Sequence, residues 1–389
     1  MRIAVLGASG RIGFQLALNL RALRPDDQIV PIVRHQLAFA SLRPYFDDVD
    51  DGTSRGDYDI VINAARSTKN PSTDGRTNRL ITDQSFARIG RGLLIQLSSI
   101  AVYGDLCDAS RQTFARPKPN TVYGLGKRAI ESHACSIATK QKKVAIIRLG
   151  NVFGIETNWS DQLFAEVMDG SIRLPNNGRQ PSNAISTRQF ASGLSRLIDQ
   201  RMSLPRATIW NAAGPQWLTW RRLYDLHSDA LGVDPVDAMD QALMVTAMRK
   251  ARLNSMMGPA GVIYQSLISS VAFGRSSLIR SYHAQRVGSR ILSVMPASVV
   301  RRVMASAKRT ASPGSNAGLS PPWDQPWLWG DRVPTDQTLP LATLDNPFAV
   351  ASDAGGQDRE EQDIRLEIGQ YATRYLPPSF TRAERERAA

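Results

Sequence analysis

Over the first 215 residues, short apolar runs alternate with stretches whose apolar positions recur at helical spacing. Residues 3–6 form an apolar run ended by a glycine, and residues 12–23 place Leu16, Leu20 and Leu23 on one helix face. Residues 29–33, 60–64, 93–97, 144–149 and 208–212 read as further strands, and residues 123–140 as a helix. Apolar runs without polar alternation belong to a sheet covered on both faces. The pattern therefore predicts an α/β chain, a Rossmann doubly wound parallel sheet with a smaller, mostly helical C-terminal region. Residues 35–57 are short for a full strand–helix unit, which predicts a reduced helix there.

Beyond residue 215 the pattern changes. Residues 216–238 look helical, and 241–309 form a basic, apolar, mostly helical stretch. Residues 311–346, rich in Pro, Gly, Ser and Trp, read as irregular. Residues 351–358 read as a flexible link, 359–375 as a charged helix and 381–389 as a frayed end. This predicts a core over 1–160, then a region over 161–350 interleaved with late sheet elements and carrying a basic insertion at about 241–310. A linker with a terminal helix follows over 351–389.

Charge changes the picture only in that insertion. Net charge is +13, and no Asp or Glu occurs between Gln241 and Pro322, where eleven Lys and Arg fall between Arg249 and Arg309. The arginines interleave with aliphatic residues, as on an interfacial helical hairpin against anionic lipid. A helix pair packed on the core with solvated arginines gives the same pattern. Nucleic acid is disfavoured, because aromatic stacking residues are few. No apolar run reaches the ~18 residues needed to cross a bilayer, and the start of the chain lacks a secretory signal. A cytoplasmic protein is expected, at most peripheral to the inner face of the membrane. Cys107 and Cys135 fit a reducing compartment and share no metal-ligand spacing. The histidines are scattered, so no metal site is predicted, and His133 and His227 read as ordinary helix residues.

The first chemical motif is Gly7-Ala8-Ser9-Gly10-Arg11-Ile12-Gly13, between the first strand and the first helix. Glycines there let the backbone turn tightly and approach a pyrophosphate, and the helix N-terminus offers free N–H groups to it. Gly7, Ser9, Gly10, Arg11, Ile12 and Gly13 are the candidate dinucleotide-binding residues. An NAD site usually places an acid at the end of the second strand, where this chain has Arg34 followed by His35. A guanidinium suits a 2′-phosphate, so NADP(H) is favoured over NAD(H). Asp47 or Asp48 is the alternative acidic group for the adenine end.

The second motif is Tyr123-Gly124-Leu125-Gly126-Lys127. Residues i and i+4 share a helix face, so the Lys127 ammonium would favour the phenolate of Tyr123 and fit it for proton exchange near neutral pH. Upstream, Leu97-Ser98-Ser99-Ile100-Ala101-Val102-Tyr103-Gly104 closes a buried strand. A serine hydroxyl at that edge can hold a reacting oxygen as charge develops.

These segments, with Arg148-Leu149-Gly150-Asn151-Val152-Phe153-Gly154, resemble the extended short-chain dehydrogenase/reductases, specifically the NAD-dependent epimerase/dehydratase family. The resemblance spans about residues 1–235. It implies Ser99 as the substrate-orienting hydroxyl, Tyr123 as acid/base, and Lys127 as its partner and a ribose ligand. It implies that Asn63, Ala64 and Ala65 line the cofactor and that Asn151 contacts substrate. It also implies nucleotide-activated sugars as substrates and a homodimer through helices at about 74–90 and 122–140. Two departures matter. Where the family's dehydratases resemble Thr-Asp-Glu, this chain has Ser99-Ile100-Ala101, which disfavours dehydration. Where an arginine usually meets the diphosphate it has Ser182, followed by Arg188-Gln189 in place of an acidic pair, with Arg173, Arg179 or a basic residue of the insertion as substitutes. The expected activity is hydride transfer at a carbinol or ketone of a sugar-like substrate, nucleotide- or lipid-linked. A plain NADPH-dependent ketone reductase and a non-catalytic NADP-sensing Rossmann protein are the alternatives. Intact Ser99, Tyr123 and Lys127 weigh against the sensor.

Overall fold

The computed structural model describes residues 1–34, 36–53, 57–67, 74–103, 119, 122–170, 173–179, 181–215, 217–239, 347–348 and 354–373. The readings of 241–309, 311–346 and 381–389 lie outside the described residues. In chain order the strands are β1 (Arg2–Leu6), β2 (Gln28–Ile32), β3 (Tyr58–Asn63), β4 (Ile89–Ser99), β5 (Lys142–Leu149), β6 (Asn151–Phe153), β7 (Arg173–Pro175), β8 (Ala184–Ser186), β9 (Ala207–Ala212) and β10 (Asp237–Met239). The helices are α1 (Arg11–Leu23), α2 (Gln36–Leu42), α3 (Asp74–Ala87), α4 (Val122–Ile137), α5 (Asn158–Asp169), α6 (Thr187–Asp199), α7 (Trp220–Leu231) and α8 (Ala354–Ala372).

Six of the strands form one parallel sheet in the order β2-β1-β3-β4-β5-β9. Its apolar runs are continuous because alternate side chains enter two different cores. Ile3, Val5, Ile60, Ile62, Ile95 and Ile147 pack with Leu16 and Leu20 of α1 and with Phe190, Leu194 and Leu197 of α6. Ala4, Leu6, Val61, Leu94, Val144 and Ile146 face the other way, toward Ala134 and Ala138 at α4. The expected doubly wound Rossmann sheet is therefore present. The predicted reduced helix is α2, seven residues long.

Beyond the sheet, a third core joins β6, α5, β7, α7 and α8 around Phe164, Trp220 and Tyr224. Residues 216–238 are not one helix: α7 stops at Gly232, whose left-handed backbone caps it, and β10 then pairs with β7. The flexible link expected over 351–358 is helical from Ala354 onward, and α8 ends at Ala372. Among the described residues, no helix is long and apolar enough to cross a membrane.

His227 shows how dry this third core is. It is fully buried on α7, with ring centroids 6.5 Å from Phe153 and 4.7 Å from Phe164. Its Nδ1 meets the Leu223 carbonyl at 2.7 Å, so the neutral tautomer carries the proton there. Burial pushes its pKa down to about 4. The unfolded chain therefore takes up a proton that the folded one refuses, and stability falls as pH drops from about 6.5 toward 4. The expected loss is about 3 kcal/mol. Urea midpoints measured at neutral pH and near the lower limit should show it, and His227→Asn should flatten that part of the profile.

Candidate active site

The strand order reverses between β1 and β3, and in open parallel sheets ligands bind at the carboxyl ends of the strands flanking that point. The loops after these two strands are the glycine motif and Asn63-Ala64-Ala65. Gly7 has φ +82°, and a Cβ on it would lie 2.7 Å from the Ala65 nitrogen. A Cβ on Gly13 would collide with the Gly7 carbonyl oxygen. The side chain of Asn63 builds the facing turn, accepting from the Ala65 N–H at 3.1 Å and donating to Gln96 at 2.9 Å. The Ala64 N–H donates to the Leu6 carbonyl at 3.0 Å. Asn63 thus shapes the loop, while half-buried Ala64 and Ala65 form its surface. Side chains of Thr157, Ser186 and Thr219 cap α5, α6 and α7, but Gly10 leaves the N-terminus of α1 without a side-chain cap. Ser9, Gly10 and Arg11 are exposed there, and Ile12 is half-buried. A close backbone cradle beneath open helix N–H groups fits a dinucleotide pyrophosphate.

Arg11 is held by α5. Its guanidinium pairs with Asp161 on α5, which also accepts from the Tyr371 hydroxyl of α8. Arg34 is exposed at the end of β2. Asp47 and Asp48 are not at the adenine end. Asp48 meets Arg2 at 3.5 Å and Gln28 at 3.3 Å, at the starts of β1 and β2, and Asp47 lies 3.9 Å from Arg21. The chain from Phe46 to Asp50 approaches the sheet from its amino edge, which carries those carboxylates away from the nucleotide loops.

The catalytic candidates converge from β4 and α4. β4 ends at Ser99, whose hydroxyl accepts from the Ala101 N–H at 3.2 Å in a short 3-10 turn over Ile100–Tyr103. A Cβ on Gly124 would collide with the Ala101 carbonyl oxygen, so its bare Cα lets the start of α4 rest on that turn. Tyr123 is 37% exposed there. One turn on, buried Lys127 donates to the Leu97 carbonyl at 3.0 Å, two residues before Ser99. Its ammonium lies 5.9 Å from the Tyr123 ring centroid. Burial pushes the Lys127 pKa down, Tyr123 opposes this, and Arg66 adds to the lowering. The structure thus brings Ser99, Tyr123 and Lys127 together beside the dinucleotide cradle.

Asn151 and Ser182 follow the carboxyl edge of the sheet and bond to neighbouring carbonyls. The Asn151 side chain donates to the Ser182 carbonyl at 2.9 Å, and the Ser182 hydroxyl donates to the Leu218 carbonyl at 2.6 Å. Ser182 is fully buried. Arg188 and Gln189 face α8 through Gln370 and Glu360, and Arg179 is exposed. Two features escaped the sequence reading. Arg66 stacks on Tyr123, its guanidinium carbon 4.2 Å from the ring centroid. Beneath the site, Arg148 holds Glu131 in two bonds of 2.9 and 2.8 Å. Glu131 was signalled only by its spacing, one helical turn after Lys127, and Arg66 by no pattern at all.

The model of the NAD dependent epimerase/dehydratase family matches residues 3–213. The chain belongs to this family. It is an NAD-dependent epimerase/dehydratase-type enzyme. Among solved structures, UDP-glucuronic acid 4-epimerase from Bacillus cereus in complex with NAD is similar at 17% identity and TM-score 0.50, over 62% of this chain and 87% of that one. dTDP-glucose 4,6-dehydratase (DesIV) from Streptomyces venezuelae, with NAD and TYD bound, aligns at 21% identity and TM-score 0.48, over 62% and 84%. At these identities the likeness is one of fold. No curated protein matches the chain.

The cradle makes a direct test. Gly13→Ala should leave the protein folded, at a cost of about 1–3 kcal/mol. It should weaken NADH binding, read by fluorescence titration, at least about tenfold, or 1.4 kcal/mol. Gly75→Ala, where a Cβ meets nothing within 4 Å, should bind NADH as the unaltered protein does.

Proposed function

We propose that this family member catalyses reversible hydride transfer at a carbinol carbon of a sugar-like substrate, nucleotide- or lipid-linked, and that epimerisation is the net reaction. The observation that carries the reading is the convergence of Ser99, Tyr123 and Lys127 on one turn at the carboxyl edge of the sheet. When bound, the nicotinamide supplies the acceptor and donor of hydride. Tyr123 carries the proton, taking it from the substrate hydroxyl as the carbonyl forms and returning it on reduction. The Ser99 hydroxyl holds the same oxygen. Lys127, fixed to the Leu97 carbonyl, keeps a cation beside the phenol through both directions. Ile100 and Ala101 follow Ser99 without a carboxylate, so the turn offers no acid to expel water, and this supports epimerisation over dehydration.

Arg34 supports NADP(H) as the preferred cofactor. It is exposed at the end of β2, and Asp47 and Asp48 pair at the opposite edge. The proposal extends to a homodimer through α3 and α4, supported by Leu80 of α3, which is 51% exposed. It also extends to an anionic lipid surface for the acid-free stretch 241–322, on sequence grounds alone.

Incubation with a panel of nucleotide-activated sugars and catalytic NADP or NAD, followed by chromatography, should yield an isomer without net cofactor turnover. Stoichiometric NADPH consumption would instead make the enzyme a reductase. Tyr123→Phe should lower kcat by about 10²–10⁴-fold while NADH and NADPH titrations stay unchanged. Arg34→Ala should weaken NADPH by about tenfold, the loss of roughly one charge-assisted contact, and leave NADH unaffected. Tighter NADH than NADPH binding in the unaltered enzyme would remove the NADP(H) preference.

A further inference from the structure

Arg66 is placed as no structural requirement demands. It follows Ala65, the residue packed under Gly7, and so stands between the dinucleotide cradle and the catalytic phenol. Its guanidinium lies over the Tyr123 ring at 4.2 Å, yet the residue is exposed. Among the described residues it has neither an ion-pair partner nor a side-chain hydrogen bond. The acid closest along α4, Glu131, is engaged by Arg148, Ser98 and Arg128. Arg66 and Lys127 therefore present two cations to one tyrosine ring, and no described carboxylate at that ring balances them.

Stacking on an aromatic face leaves the in-plane N–H groups of a guanidinium free and fixes their direction. Those groups match the paired oxygens of a carboxylate or phosphate, which they bind in a two-bond fork. We propose that Arg66 is an oxyanion-recognising residue at the mouth of the catalytic site, taking a carboxylate or phosphate held beside Tyr123. The assignment rests on the catalytic reading above. The oxyanion has two sources of the same chemistry, an anionic group of the substrate or the cofactor's own pyrophosphate.

Residue-specific labelling separates them. Phenylglyoxal modifies accessible arginines, and peptide mass spectrometry reads the rate at Arg66 in the full-length protein, with exposed Arg91, at the amino edge of the sheet, as the internal reference. Inorganic phosphate should slow labelling of Arg66 saturably, several-fold, and leave Arg91 unchanged. If NADH alone protects Arg66 as strongly, the oxyanion is the cofactor's. If NADH binds without protecting it, while phosphate or UDP-glucuronic acid added on top does, the oxyanion belongs to the substrate. In the first case Arg66→Gln should weaken NADH severalfold and Arg66→Lys should restore part of the loss. In the second, both variants should bind NADH normally. Unchanged labelling with phosphate, UDP-glucuronic acid and NADH would overturn the proposal. Failure of the unaltered protein to bind NADH or NADPH would sink the catalytic reading instead, and the phosphate arm would still decide Arg66.

Discussion

The arrangement of the candidate site depends on one buried ion pair. Arg148 is fully buried and Glu131 is 1% exposed, and removing two such charges from water costs several kcal/mol each before any partner is found. The geometry offsets this by satisfying nearly every polar edge. Arg148 makes both bonds to Glu131 and donates to the Tyr103 hydroxyl at 2.9 Å. Ser98 donates to Glu131 at 2.6 Å, and Tyr103 donates to Asn211 at 2.9 Å. Burial alone would lower the Arg148 pKa, but the bonds to Glu131 and Tyr103 outweigh it, and the pKa is raised. The network joins β4, the 3-10 turn, α4, β5 and β9. Tyr123 and Lys127 precede Glu131 on α4, and Ser99 follows Ser98 on β4, so one charge pair registers the helix with the strand that faces it.

That internal use of Glu131 also sets the electrostatics above it. The carboxylate nearest Tyr123 along α4 is directed into the protein, and Lys127 and Arg66 are left beside the tyrosine ring. The site's positive character thus follows from how the fold is tied together, with no need for a dedicated basic patch.

The sheet and the glycine cradle were legible because both rest on local rules. Apolar runs must alternate with helices, and only glycine tolerates the approach at Gly7 and Gly13. The YxxxK pair was legible because helical spacing fixes it. The failures have a common physical origin in tertiary packing. β6 and β8 are three residues each, too short to show a period, and exist because they pair with each other. Residues 354–358 contain two glycines and read as a link, but α8 is held by Ile364, Ile368 and Tyr371 in the third core and needs no propensity of its own. The side-chain bonds of Asn63 and Asn151, which hold loops in shape, likewise arise from packing that spacing does not encode. Arg66 belongs to no pattern, because a cation that matters by its distance from one ring leaves no trace in spacing.

The position of α8 has a consequence for how the protein comes into being. Glu367 of α8 is bonded to Thr187 at the start of α6, and Tyr371 reaches Asp161, which in turn holds Arg11 in the glycine loop. The last described helix thus closes against a loop made from the first dozen residues. On the ribosome, every strand of the parallel sheet emerges more than a hundred residues before Ala354. The nascent chain can build its sheet early, as domains generally do during synthesis, yet the third core stays open and Arg11 lacks its finished anchor until α8 has been made. Completion of the glycine loop's surroundings therefore follows formation of the sheet, and the third core presents an apolar surface until α8 docks on it.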